Sequence, residues 1–151
     1  MERKQLRLKG WDYSNNGAYF ITICTKDRKK ILSKITVGEG LRALPILTAT
    51  GKEIEKSICY LNKKYNNIIE KYVIMPNHIH MIIYFKELGG HGNPPLQDII
   101  RDLKSFTTHK FGDVLWQRSY YDHILRNQQD YEDAWNYIDG NPAKWKADEL
   151  Y

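Results

Sequence analysis

Ile68-Ile69-Glu70-Lys71-Tyr72-Val73-Ile74-Met75-Pro76-Asn77-His78-Ile79-His80-Met81-Ile82-Ile83-Tyr84-Phe85 reads as two strands folded back on each other. β-Branched and aromatic residues fill both halves, and Pro76-Asn77 supplies turn chemistry between them. In an extended chain, residues i and i+2 project from the same face. Ile79, Met81, Ile83 and Phe85 therefore form one continuous apolar face, suited to a cover of helices, and His78, His80, Ile82 and Tyr84 fall on the other. His78 and His80 can present two imidazole nitrogens to a single point, as a divalent metal requires of its ligands. Two half-buried histidines bonded to backbone carbonyls fit the same pattern.

Working outward, Ala18 to Thr25 is β-branched and aromatic and reads as a first, largely buried strand. The weakly patterned stretch from Ile35 to Leu47 reads as a loop or a short extra hairpin. Thr50-Gly51-Lys52-Glu53 has capping-box spacing with Thr50 as N-cap, and Ile54, Ile58, Leu61 and Tyr65 carry a helix to about Tyr65. Gly89 to Pro95 is a loop whose prolines suit a helix start. Leu96, Ile100, Leu103 and Phe106 or Thr107 mark the apolar face of a second helix, stopping by Gly112. Val114 to Arg126 holds a fourth strand, interrupted around Ser119-Tyr120-Tyr121, and Asn127 is placed to cap a last helix from Gln128 to about Gly140. The order predicts an α+β fold: a ferredoxin-like split βαβ sandwich with an antiparallel sheet and an additional C-terminal helix. In that topology the first and third strands are central, which puts the histidine pair near the middle of the sheet. With no repeat or linker visible, residues 1–151 read as one domain.

Of 151 residues, 42% are hydrophobic, enough for a sizeable core, and no segment reaches the length of a membrane span. The N-terminal Met1 to Arg7 is basic without an apolar stretch, so no secretory signal is expected. Cys24 and Cys59 alone argue for neither a disulfide framework nor a cysteine zinc site, and a cytoplasmic setting follows. The formal charge of +5, with a local cluster at Lys26-Asp27-Arg28-Lys29-Lys30, is compatible with a nucleic-acid partner and equally with an ordinary soluble surface.

The last helix adds to the histidine pair. Tyr131, Ala134, Trp135 and Ile138 follow the i, i+3, i+4, i+7 pattern of a buried stripe. At about 100° per residue, Tyr137 points away from that stripe, and Asn141 stands one turn above it on nearly the same side. The Asn141 carboxamide oxygen could serve as a neutral third ligand, with the Tyr137 hydroxyl within reach of the metal. Gly140 and Pro142 also allow Asn141 to be a plain helix terminator. Tyr120 and Tyr121 are alternative tyrosines, suited to base stacking or to the core, whereas Tyr131 reads as structural. Asp122 reads as orienting a basic neighbour or capping a turn, and Trp116 as a core anchor.

Three blocks carry a family resemblance: Met75 to His80, Leu115 to Arg126, and Tyr137 to Pro142. Together they resemble the signature blocks of the REP-associated tyrosine transposases, members of the single-tyrosine HUH transposases of the insertion-sequence-200 type. The likeness runs from about Tyr13 to Lys146, with the blocks in the expected order. It implies a catalytic domain that cuts and rejoins single-stranded DNA beside small hairpins, assisted by Mg²⁺ or Mn²⁺. Carried over residue by residue, it implies His78 and His80 as metal ligands, Asn141 as the polar ligand completing the site, and Tyr137 as the nucleophile forming a 5′-phosphotyrosine. Of the candidate DNA contacts Arg101, Lys104, Lys110, Arg118, His123 and Arg126, those in family-like segments are favoured: Lys104, Arg118 and Arg126. A hairpin-binding protein that no longer cuts, and a replication-initiator or relaxase nickase, are the competing readings. The partner implied is hairpin-bearing single-stranded DNA, with no membrane. Monomer and homodimer, with Tyr137 supplied in cis or in trans, both fit the sequence.

Overall fold

The computed structural model describes residues 17–36, 44–85, 94–111, 115–147 and 150. In chain order they form β1 (Gly17–Cys24), β2 (Ser33–Thr36), β3 (Leu44–Leu47), α1 (Ala49–Lys64), β4 (Ile69–Ile74), β5 (His78–Phe85), α2 (Leu96–Phe111), β6 (Tyr121–Leu125) and α3 (Gln128–Gly140). A short 3₁₀ segment, Pro142–Ala147, follows. The architecture is α+β. A four-stranded sheet has the order β4-β5-β1-β6, and all its pairings are antiparallel. The first strand and the histidine strand are thus the two inner ones, as expected. The Ile35–Leu47 stretch contributes the small β2–β3 hairpin, whose connecting residues 37–43 lie outside the described residues. The Gly89–Asn93 part of the expected loop, Gly112 and Val114 also lie outside them.

The alternation of β1 and β5 separates two layers. Tyr19, Ile21 and Ile23 of β1 join Ile79, Met81, Ile83 and Phe85 of β5 beneath α1 and α2. On the opposite face Ala18, Val73 and Ile82 pack against Ala134 and Ile138 of α3 and against Trp145. Burying apolar side chains on both faces is what lets the inner strands read as near-continuous hydrophobic runs. α2 buries Leu96, Ile99, Ile100, Leu103 and Thr107. Thr107 rather than Phe106 continues that face, because its hydroxyl accepts the indole N–H of buried Trp116 at 2.7 Å. Phe106 instead meets Tyr60 edge-on at the surface.

One helix start differs from expectation. The N-cap of α1 is Thr48, not Thr50: its backbone is extended and its Oγ1 accepts the Gly51 N–H at 3.1 Å. Thr48 Oγ1 also donates to the carbonyls of Ile31 and Leu32, tying the helix start to the β1–β2 connection. Such tertiary bonds move a cap two residues upstream of the local capping-box pattern. Gly51 is required by the same close approach, since a Cβ there would stand 2.1 Å from the Leu32 carbonyl oxygen.

Candidate active site

The turn before β5 is stapled to the segment leaving β1. Asn77 O accepts from the Thr25 N–H at 3.0 Å and from the Thr25 hydroxyl at 3.1 Å, while Pro76 O accepts from Leu32 N at 2.9 Å. This fixes where β5 begins, and with it His78. In the sheet His78 pairs with Cys24, His80 with Thr22 and Ile82 with Phe20. The two imidazoles are buried on the α3 side, their centroids 4.5 Å apart. They do share a face, and it is the face opposite α1 and α2.

Each ring is held through its Nδ1. The carboxamide oxygen of Asn77 lies 2.7 Å from His78 Nδ1. Asn77 Nδ2 donates to the carbonyls of Leu150 and Arg28, so its Oδ1 is the atom that faces the ring. His78 Nδ1 must then carry the proton, and the lone pair sits on Nε2. Thr22 Oγ1 lies 2.8 Å from His80 Nδ1 and restrains the orientation of that ring.

α3 brings the other two predicted residues to this face. Asn127 caps it, its Oδ1 accepting the Asp130 N–H at 2.8 Å. Its buried stripe, including Ala134 and Ile138, rests on the sheet. Two polar links fasten it across β4: Tyr131 donates to Glu70 at 2.9 Å, and Lys71 pairs with Asp139 while lying over the Trp135 ring. Burial, reinforced by the Glu70 carboxylate, pushes the Tyr131 hydroxyl up to about 12. Tyr137 emerges beside this stripe, 45% exposed. Its ring lies 5.3 Å from that of His80, and Phe20 stacks on His80 while meeting Tyr137 edge-on.

Asn141 keeps helical dihedrals at φ −62°, ψ −44° despite Gly140 before it and Pro142 after it. Pro142 starts the 3₁₀ segment, a first-turn position where its missing N–H costs nothing. The one-turn relation between Tyr137 and Asn141 is therefore preserved, and Asn141 is only 4% exposed. The chain then turns so that Trp145 lies 6.0 Å from the His78 ring. Asn141 thus falls between two residues whose rings bracket the histidine pair.

Among the described residues no group of three His, Cys, Asp or Glu side chains could hold a metal. Among the described residues, a third protein donor at the histidine pair is therefore of another type. His78 Nε2, His80 Nε2 and Asn141 Oδ1 are buried polar atoms. Two neutral imidazole nitrogens and a carboxamide oxygen are a donor set that suits a divalent ion of borderline or hard character. Asp122, paired with Ile21, is on the α1–α2 face and does not enter the site.

The three favoured DNA contacts are dispersed. Lys104 donates to the carbonyls of Gln117 at 2.9 Å and Ser119 at 3.0 Å, clamping the segment that leads into β6. Arg118 is exposed on that segment, and Arg126 is exposed just before α3. Tyr120 is buried in the helix-side core. Phe20, Thr22, Asn77 and Trp145 were missed by sequence reasoning. Asn77 adjoins the first histidine and was open to suspicion, whereas the other three depend on strand register and on the path after α3.

No protein-family model matches the chain. An uncharacterised protein of Haemophilus influenzae is 31% identical over 172 residues, covering 99% of this chain and 93% of that protein. The REP-associated tyrosine transposase of Escherichia coli K12 is 26% identical over 133 residues, covering 87% of this chain and 70% of the relative. The chain belongs to the REP-associated tyrosine transposase family. The fold agrees: the solved structure of a REP-associated tyrosine transposase bound to a REP hairpin superposes with a TM-score of 0.69 at 23% identity, covering 95% of this chain and 74% of that one. The four-stranded antiparallel sheet with three helices is thus a REP-associated tyrosine transposase architecture. Among the described residues no helix is long and apolar enough to cross a membrane.

Proposed function

We propose that this protein is a single-strand DNA endonuclease and strand-transferase that cuts beside hairpins, built as one ferredoxin-like HUH domain over residues 1–151. The observation that carries the reading is the half-exposed Tyr137 beside a pair of buried imidazoles on one sheet face. His78, His80 and Asn141 would hold Mg²⁺ or Mn²⁺, which when bound supplies positive charge to a non-bridging phosphate oxygen and stabilises the displacement.

The protein's own groups do the rest. Asn77 and Thr22 orient the two rings, and α3 presents the phenol at the rim. Tyr137 Oη attacks phosphorus as its proton departs; the new O–P bond forms while the P–O3′ bond breaks, and the leaving 3′ oxygen takes up a proton. The product is a 5′-phosphotyrosine and a 3′-hydroxyl. Because the ester retains the bond energy, a later 3′-hydroxyl reverses the step without an external energy source. Arg118 and Arg126 contact the DNA backbone, and Lys104 supports that contact while bracing the 117–120 segment. The packing of α3 on its own sheet supports a site complete within one chain, compatible with a monomer or with a homodimer.

The test is a hairpin-bearing oligonucleotide incubated with protein and Mg²⁺ or Mn²⁺. A covalent protein–DNA adduct and a shortened strand are expected on a denaturing gel. Hairpin binding without cleavage across varied flanking sequences would favour a protein that recognises hairpins and no longer cuts.

A further inference from the structure

A groove of about 610 Å³ runs along α2, on the layer opposite the histidine pair. Arg101, Lys104, His109 and Arg118 line it, with Ser105 and Thr108 between them. None of its lining residues is Asp or Glu. The three other described cavities each carry a carboxylate: Glu55 and Asp139 in one, Asp130 and Asp133 beside Tyr137 in another, Glu53 in the last. With Arg101, Lys104 and Arg118 and no carboxylate in its lining, the α2 groove attracts an anionic ligand through its own side chains alone.

The groove is also held in shape. Lys104 is fixed by its bonds to the Gln117 and Ser119 carbonyls, which set the far wall bearing Arg118. Arg101 is oriented along the helix by Asp98 at 3.2 Å and Asp102 at 3.6 Å. From Gln97 to His109 the helix face extends about 18 Å, comparable to the axial rise of about five base pairs of duplex. Ser, Thr, Gln and Arg donors along a groove of that length suit phosphate oxygens.

β6 is an edge strand of the sheet. Arg118 and Tyr120, just before it, line the α2 groove, while His123 and Leu125 within it line the cavity beside Tyr137. One strand therefore borders both surfaces. We infer that the α2 groove docks the phosphate backbone of a hairpin stem, so that the single-stranded extension crosses the β6 edge to reach Tyr137. This rests on the proposed DNA-cutting function and adds to it a second contact surface on the other layer.

Backbone contacts carry no base information, so any stem-loop oligonucleotide with a single-stranded tail can serve as probe. Fluorescence anisotropy would compare it with the tail alone across a salt series, for wild type, Arg101→Ala/Arg118→Ala, and Lys52→Ala/Lys56→Ala on α1, which removes equal charge elsewhere. Melting curves would establish that each folds, with the single Arg118→Gln substitution at its exposed position replacing the arginine pair if that variant does not. The expected result is a loss of about tenfold in stem-loop affinity for the arginine pair, with a log–log salt slope shallower by about two. The preference for stem-loop over tail should shrink in that variant and survive in the α1 variant. A wild type that prefers the stem-loop, with that preference intact in the arginine variant, overturns the groove alone. A wild type that binds stem-loop no better than tail overturns the groove and the hairpin reading together.

Discussion

The ring of Tyr137 on α3 stands 5.3 Å from that of His80 on β5 and crosses it at 68°. Phe20 of β1 touches both, so strand, strand and helix meet at one point. The relation matters because Tyr137 is off the buried stripe of its helix and yet does not simply face water. Its phenol is held at the edge of the imidazole pair, where an incoming phosphate could meet both.

If that phenol is the nucleophile, Tyr137→Phe removes one oxygen and leaves the packing with Phe20 and His80 in place. The variant should form no covalent adduct with a hairpin oligonucleotide and should bind it about as well as wild type. Adduct formation by the variant, seen by mass spectrometry, would transfer the role to another residue.

His78→Ala/His80→Ala should abolish Mn²⁺ binding followed by electron paramagnetic resonance, together with cleavage. Both rings are buried, so the pair of substitutions should also lower stability by a few kcal/mol, roughly, through the cavities it opens. Retained high-affinity Mn²⁺ binding in a folded variant would remove these residues as ligands.

Asn77 sets the tautomer of His78 without touching the reacting atoms. In Asn77→Ala, ¹⁵N spectra of the metal-free protein should show the His78 ring losing its fixed Nδ1–H form. Mn²⁺ affinity should fall by about 10- to 100-fold, the range expected when the partner of a ligating histidine is removed. An unchanged tautomer would mean that some other group orients the ring.

Gly51 is demanded by space. Gly51→Ala would drive a methyl group into the Leu32 carbonyl, and should cost about 2 kcal/mol by displacing the start of α1 from the β1–β2 connection. Chemical denaturation would reveal it, and a neutral outcome would mean that the connection yields freely.

The fastening of α3 predicts alkaline sensitivity. The Tyr131 hydroxyl, raised from an ordinary value near 10 to about 12, contributes stability that is fully present below pH 10 and is lost as pH rises through about 12. Tyr72, bonded to Glu55, is shifted the same way by burial and that carboxylate. Thermal melts from pH 9 upward should therefore fall less steeply in Tyr131→Phe than in wild type, with part of the slope remaining from Tyr72. Equal slopes would show that the Tyr131–Glu70 bond does not hold the helix.

Much of the fold was legible because its signals are local. The two-residue period of β5 separated Ile79, Met81, Ile83 and Phe85 from His78 and His80, and those two sets do face different layers. Asn127 was recognisable as a cap from its own side chain, and it caps α3. The Thr50 assignment missed because the actual cap, Thr48, is selected by carbonyls at positions 31 and 32, which no local pattern contains.

The sequence by itself determined which residue types are present at strand and helix spacing: paired imidazoles, a tyrosine outside the apolar stripe, and an asparagine one turn on. Tertiary structure alone decided that Thr22 and Phe20 lie across from His80 and Ile82, that Asn141 stays helical ahead of Pro142, and that Arg101 and Arg118 share a groove. Side-chain direction along one element follows from backbone periodicity, which the chain carries locally. Which elements meet, and in what register, follows from burying two apolar layers at once, and that is settled only by contacts between residues far apart in the chain.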